Sequence, residues 1–184
     1  MIVLVIVGKI GAGKDTTSEY LCDKYGFVPV SYSEMVHEKT RERGLEVTRA
    51  NLQATATDCR RKHGQDYFAR LAVERARSLG RERVILKEAR IRQDVLPAME
   101  AFDKDLKIIE VTVPQKTRFE RLRDRAGPKD ARTWEDFLRQ EKREEGLGFY
   151  GAAELADFRI SNEGKPEGLY RKLDRLMKKL LPGN

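Results

Sequence analysis

The run Ile2-Val-Leu-Val-Ile-Val-Gly8-Lys-Ile-Gly11-Ala12-Gly13-Lys14-Asp15-Thr16-Thr17 decides the fold. An apolar strand ends at Gly8, a glycine-rich turn follows, and a helical pattern opens at Lys14. Glycines at 8, 11 and 13 let successive N–H groups point inward, where they suit phosphate oxygens, and the helix adds the positive end of its dipole. Lys14 stands where an ammonium reaches the terminal phosphates of a bound polyphosphate.

The spacing Gly8-x4-Gly13-Lys14 fits the Walker A phosphate-binding pattern except at Asp15, where a Ser or Thr hydroxyl would carry a magnesium ion. Gly8, Gly11, Ala12, Gly13, Lys14, Asp15 and Thr16 are therefore the expected phosphate cradle. A turn used only for packing is the competing reading, and the strand before it and helix after it argue against that.

A chain of 184 residues suits one domain with a sizeable core. Lys+Arg 37 against Asp+Glu 30 leaves a net charge of +7, which suits an anionic small molecule. Mixed signs along helix faces point to a solvated surface, and a nucleic-acid partner is the less favoured alternative. Cys22 and Cys59 form no CxxC, and His37 and His63 lie in charged helical stretches, so neither a disulfide framework nor a zinc site is expected. Ile2–Val7 is too short for a signal-peptide core or a membrane span, and the expected compartment is cytoplasmic, with no membrane partner. The oligomeric state has no signature.

Downstream, helix is expected over Lys14–Tyr25 with Gly26 as its stop, and a short strand over Phe27–Val30, with Pro29 marking an edge. Ser31 and Ser33 are candidate caps for a helix over Glu34–Arg43, Thr48 caps another running to His63, and Asp66–Leu79 carries Phe68, Leu71, Ala72, Ala76 and Leu79 on one face. Val84–Leu86 and Leu106–Val113 read as strands around a helix near Asp94–Phe102. Pro114 opens a helix, and Lys116–Arg132 holds seven Lys/Arg against three Asp/Glu. After Gly127-Pro128, the box Thr133-x-x-Asp136 starts a helix with Trp134, Phe137 and Leu138 inward. Phe158–Ser161 is the fifth strand, and Pro166 opens a closing helix with the stripe Leu169, Leu173, Leu176 and Leu180. Alternating strands and helices imply an α/β fold: a five-stranded parallel sheet with helices on both faces and a ligand crevice at the strand C-terminal ends.

Over nearly its whole length the chain resembles P-loop kinases of small molecules. The Gly13-Lys14-Asp15-Thr16 cradle is similar to that of phage deoxynucleoside monophosphate kinases and phosphomevalonate kinases. Arg43–Asn51, Thr117–Leu122 and Ala156–Asn162 resemble a prokaryotic family described as dephospho-coenzyme-A-kinase-like. The resemblance implies a three-layer P-loop NTPase fold of the nucleoside monophosphate kinase kind. Its core would be 1–30, 81–117 and 147–184, with an acceptor-binding insert at about 31–80 and a lid at about 118–146. It also implies that Lys14 bridges the β- and γ-phosphates, Arg121 and Arg125 are lid arginines on ATP, Arg143 reaches the transferring group, Arg90 holds an acceptor phosphate and Asn162 lies beside the adenine.

Two departures stand on the acceptor and metal side. Relatives usually carry Asp-Gly-x-Arg after the third strand, where this chain reads Lys87-Glu88-Ala89-Arg90, and Ser-Asp-x-Leu-Arg where it has Ser33-Glu-Met-Val-His37. Asp15, Thr16 and Glu88 are left as candidate magnesium ligands, and His37 stands where relatives carry an acceptor-side arginine, a solvated helical histidine being the favoured reading and a phosphate ligand when protonated the other. The expected function is ATP- and magnesium-dependent phosphoryl transfer to a nucleoside monophosphate or similar small phosphorylated acceptor. Dephospho-coenzyme A kinase, with Glu88 or Asp15 as base, is one alternative. An ATP-binding switch or RNA-assembly ATPase is another.

Overall fold

The computed structural model describes residues 1–127 and 130–181. Its strands are β1 (Ile2–Val7), β2 (Val28–Ser31), β3 (Arg83–Lys87), β4 (Leu106–Thr112) and β5 (Phe158–Ser161). Its helices are α1 (Lys14–Tyr25), α2 (Tyr32–Glu42), α3 (Arg49–His63), α4 (Tyr67–Ser78), α5 (Leu96–Phe102), α6 (Gln115–Arg125), α7 (Trp134–Gly146) and α8 (Pro166–Leu180). The strands form one sheet in the order β2-β3-β1-β4-β5, every pairing parallel. The chain order reverses around β1, which puts the glycine-rich turn at the switch point where such sheets open a crevice.

Strand alternation produces the three layers. Val3, Val5 and Val7 of β1, with Val84 and Leu86 of β3, pack on one face beneath α2, α4 and α5. Leu4, Ile6, Ile85, Ile109 and Val111 point to the other face, under Leu21 of α1 and Leu169, Leu173 and Leu176 of α8. Each large apolar side chain so buried contributes about 1.5–3 kcal/mol. A third cluster of Leu122, Ala131 and Phe137, with Ile10, Phe119 and Trp134 against it, joins α6 and α7 to the glycine-rich turn.

Pro29 lies on an edge strand, as expected, since β2 ends the sheet order. Several boundaries differ. Strand β2 runs one residue later than Phe27–Val30, β4 stops at Thr112, and α2 opens at Tyr32 because Ser31 is its cap, Ser31 Oγ accepting from Glu34 N at 3.3 Å. Ser33 falls inside that helix. Leu138 is exposed: the inward face of α7 is Trp134, Phe137 and Glu141, so the helical register turns Leu138 to solvent. Leu79 is also exposed, lying past the last turn of α4. Pro128 of the expected Gly127-Pro128 turn lies outside the described residues.

Candidate functional site

The glycine-rich turn is held from below. Gly13, the N-cap of α1, has φ 95°, and a Cβ there would collide with the Asn162 side-chain amide. That amide donates to Ala12 O at 2.8 Å, and Asn162 N donates to Thr112 O at 2.8 Å. Asn162 is thus a buried buttress under the turn, its side-chain amide engaged with Ala12. Lys14 arches over its own loop, Nζ donating to Gly8 O at 2.9 Å and Lys9 O at 3.3 Å. Burial lowers the Lys14 pKa, with the neighbouring Asp15 carboxylate pulling the other way.

Helices α6 and α7 grip the turn from the side. The Arg118 guanidinium donates to Ile10 O at 3.3 Å and forms a two-pronged pair with Glu141 at 2.6 and 2.7 Å, both residues being buried. Burial pushes the Glu141 carboxyl up, but the hydrogen bonds and charge of Arg118 outweigh it and leave it below its ordinary value. Arg121 donates to Asn162 O at 2.8 Å, and Arg125 is held by both oxygens of Asp130 at 2.6 and 2.8 Å. Arg143 is exposed, and its side chain makes no hydrogen bond or ion pair among the described residues; the α7 side chain that faces the turn is Glu144. In this conformation, then, Arg121 and Arg125 are occupied by protein partners and Arg143 stands outside the crevice.

Two cavities adjoin at the C-terminal ends of the strands. One, of about 200 Å³, is lined by Gly8, Lys14, Asp15 and Tyr150; the other, of about 350 Å³, by Tyr32, Val36, Arg60 and Ile91. Glu88, Arg90 and Phe149 belong to both and form the wall between them. The Arg90 guanidinium lies 5.4 Å from the Phe149 ring centre, and that of Arg60 lies 5.5 Å from the Phe68 ring centre. Neither makes a side-chain hydrogen bond or ion pair among the described residues, and Arg60 Nε is buried without a partner. Arg60 is half-buried and Arg90 exposed, and the Asp94 carboxylate in the same cavity answers part of the charge of both; an anionic ligand would supply the charge-assisted hydrogen bonds that neither guanidinium makes here.

Arg60 is not among the residues that the sequence singles out on the acceptor side, and His37, expected there first as a solvated helical residue, does not line the cavity. The signal was present, because Arg60 follows Ala56 by one helical turn on the face of α3 that packs inward, an unusual place for a lone charge.

On the metal side, Asp15 is 71% exposed and its ion-pair partner among the described residues is Lys87, Nζ lying 3.3 Å from Oδ1. Glu88 lines the same cavity as Lys14 and Asp15. The register sets Ser31 against Lys87, and Glu88, one residue on with φ 75°, directs Oε2 to Ser31 Oγ (2.6 Å) and Ser33 N (3.0 Å). Burial pushes its carboxyl up, but these hydrogen bonds and the charge of Arg90 bring it below its ordinary value. Glu88 Oε2 is thus taken by Ser31 and Ser33, while Oε1 accepts no hydrogen bond among the described residues. No group of three or more His, Cys, Asp or Glu that could hold a metal occurs among the described residues. An exposed Asp15 carboxylate followed by the Thr16 hydroxyl still fits magnesium, which commonly takes one or two carboxylates and completes its shell with phosphates and water.

A family model described as an AAA domain matches residues 7–145. The UPF0200 protein TK1334 of Thermococcus kodakarensis is 32% identical to the chain, the match covering 97% of this chain and 98% of that one. The chain belongs to the UPF0200 family. Among solved structures, this UPF0200 protein is similar to a shikimate kinase from Acinetobacter baumannii in complex with shikimate (TM-score 0.57, 19% identity, 99% and 96% of the two chains). It is also similar to a sugar kinase from Janibacter sp. (TM-score 0.59, 15% identity, 99% and 96% covered). The expected five-stranded P-loop kinase-like fold is thus the observed one. Cys22 and Cys59 of the UPF0200 protein are free, and no described helix is long and apolar enough to cross a membrane.

Proposed function

We propose that this UPF0200 protein transfers the γ-phosphoryl group of ATP to a small anionic acceptor, with nucleoside monophosphates and similar phosphorylated metabolites as the leading class. The observation that carries the reading is the pair of unpartnered guanidiniums, Arg60 and Arg90, in a cavity that adjoins the Lys14 cradle. Their planar forks suit a phosphate or carboxylate, and the charge-assisted bonds they lack in the free protein are those an anionic acceptor supplies.

In this reading Gly8 to Thr16 hold the triphosphate, and Lys14 leaves its loop carbonyls for the β- and γ-phosphates. Magnesium, held by Asp15 and Thr16, supplies charge neutralisation on the phosphates. Residues 31–80 present the acceptor and residues 118–146 act as the lid. Arg121, Arg125 and Arg143 reach nucleotide only on a lid movement in which Arg125 exchanges Asp130 for phosphate. Positioning and preorganised charge then carry the rate. Dephospho-coenzyme A kinase is a second reading, favoured by the Glu88 carboxylate between the two cavities. The switch or RNA-assembly reading has in its favour the basic balance of the chain, and part of that charge is already paired, as where Asp58 takes Arg43, Arg61 and Lys62.

The test is purified protein with γ-labelled ATP, magnesium, the nucleoside monophosphates, dephospho-coenzyme A and RNA. Label moved to one small acceptor supports the reading; RNA-stimulated hydrolysis with no labelled acceptor overturns it.

A further inference from the structure

We infer that the acceptor reacts through a hydroxyl group, that Glu88 is the catalytic residue that takes its proton, and that Arg60 and Arg90 hold a separate anionic group of the same molecule. This inference rests on the phosphoryl-transfer reading above and names the acceptor within it.

Glu88 stands in the wall shared by the two cavities, between the Lys14 cradle and the Arg60 side. Only one of its oxygens is fixed: Oε2 accepts from Ser31 Oγ and Ser33 N, and Oε1 accepts no hydrogen bond among the described residues. A carboxylate anchored through one oxygen with the other free at the meeting point of donor and acceptor has the geometry of a general base.

The backbone supports this independently. Glu88 has φ 75°, a left-handed conformation that costs a side-chain-bearing residue about 1–2 kcal/mol relative to glycine. A strained non-glycine residue in a crevice is a mark of a functional constraint, and here the strain delivers a carboxylate to the boundary of both cavities.

Charge then separates the two acceptor classes. A phosphate nucleophile is already ionised at neutral pH, needs no base, and would be repelled by the Glu88 carboxylate beside it. A hydroxyl is a weak nucleophile and gains from a base in reach. Glu88 and Arg90 line both cavities, Arg60 lies over Phe68 on the acceptor side alone, and Asp94, the other carboxylate of that cavity, is engaged by the backbone N–H groups of Arg90 and Ile91. Val36, Ile91 and Leu147 add apolar wall for the body of the molecule. The volume of about 350 Å³ is at the small end for ligand cavities and fits a metabolite.

The step balances. The hydroxyl proton passes to Glu88 as the hydroxyl oxygen bonds to the γ-phosphorus. The bond from that phosphorus to the bridging oxygen breaks, its electron pair leaves with ADP, and the proton on Glu88 is released to water.

The experiment uses the full chain with magnesium-ATP and a probe panel of ribose 5-phosphate, glycerol 3-phosphate, shikimate, dephospho-coenzyme A and the four common ribonucleoside monophosphates, with the product linkage read by phosphorus NMR. The inference expects a phosphate ester. Glu88→Gln should lower kcat on the order of 10²–10⁴-fold, the range for loss of a general base, with acceptor KM nearly unchanged. Glu88→Gly should lower kcat equally while melting at the same temperature or higher, because the backbone strain is relieved. A phosphoanhydride product with wild-type rates in Glu88→Gln overturns the hydroxyl inference and leaves ATP-dependent transfer standing. If no probe accepts phosphate, ATP hydrolysis is the readout, with water as the hydroxyl: a comparable loss in Glu88→Gln supports the base, and an unchanged rate overturns it. A wild-type protein that neither binds nor hydrolyses ATP overturns both readings together.

Discussion

The two halves of the crevice treat their cations in opposite ways. On the phosphate-loop side almost every positive group is engaged: Lys14 with Gly8 O and Lys9 O, Lys87 with Asp15, Arg118 with Glu141, Arg121 with Asn162 O and Arg125 with Asp130. On the acceptor side, Arg60, and Arg90 in the shared wall, have aromatic rings beside them and make no side-chain hydrogen bond or ion pair among the described residues, although the Asp94 carboxylate lies in their cavity. The first group is pinned by hydrogen bonds, whereas the second keeps its hydrogen-bond donors free for a ligand. A buried, hydrogen-bonded pair and a partly exposed cation with no hydrogen bond differ in what their removal does, and that difference can be measured.

The largest effect is expected where the pinning is tightest. Glu141→Ala leaves Arg118 buried without a counter-charge and should destabilise the protein by about 3–5 kcal/mol in denaturant unfolding. The same pair sets a pH dependence. The folded Glu141 carboxyl lies below its ordinary value of 4.5, so its stabilisation is present above that pH and is lost as pH falls through the folded pKa. Acid unfolding of Glu141→Gln should therefore show a shallower loss below about pH 4.5. An unchanged unfolding midpoint in Glu141→Ala would mean that α6 and α7 do not hold the turn.

Next comes Lys14→Ala, expected to reduce transfer on the order of 10²–10³-fold while leaving the melting temperature close to wild type, since it removes a preorganised cation from the transferring charge. Near-normal turnover in a folded variant would break the assignment of this half to phosphate.

The unpartnered side should respond in the reverse sense. Arg60→Met and Arg90→Met each remove one charge-assisted contact, so acceptor KM should rise by an amount equivalent to about 1.5–3 kcal/mol. Stability should change little, because neither guanidinium makes a hydrogen bond or ion pair among the described residues and Arg90 is exposed. A loss of stability comparable to that of Glu141→Ala would show that these arginines are structural and erase the contrast.

How much of this was legible in the sequence follows from how local each feature is. The cradle was, because glycine spacing and a strand–turn–helix order are set within the run Ile2–Thr17. The three layers were, because strand alternation and the stripe on α8 survive any packing detail. Arg60 was not, because its importance arises only when α3, β3 and the residues after α7 meet around one cavity. Asn162 was placed at the end of the last strand correctly, but its buttress role depends on contact with Ala12, 150 positions away. Glu88 was legible as a departure from a glycine pattern and not as a carboxylate turned toward Ser31, which required the β2–β3 register. Leu138 misled because an apolar residue next to an inward Phe137 reads as core, while helix rotation carries it outward.

The smallest expected effect concerns Asp15. Its exposed carboxylate pairs with Lys87, so Asp15→Asn should raise the magnesium concentration for half-maximal turnover by only on the order of a few-fold, the ammonium released from the pair offsetting part of the loss. Without metal, ATP binding should hold or tighten as one negative charge leaves. If the magnesium requirement does not move, Asp15 is a helix-terminal charge and the metal rests on other groups, Thr16 first.

The division of the crevice is tested most directly by calorimetric titration of magnesium-ATP into wild type, Lys14→Ala and Arg60→Met, since Arg60 lines only the acceptor cavity. Wild type and Arg60→Met should bind ATP with the same affinity, and Lys14→Ala should bind it more weakly, because only the pinned half holds the nucleotide. Parallel weakening in Arg60→Met, or no ATP binding by wild type, would contradict the account.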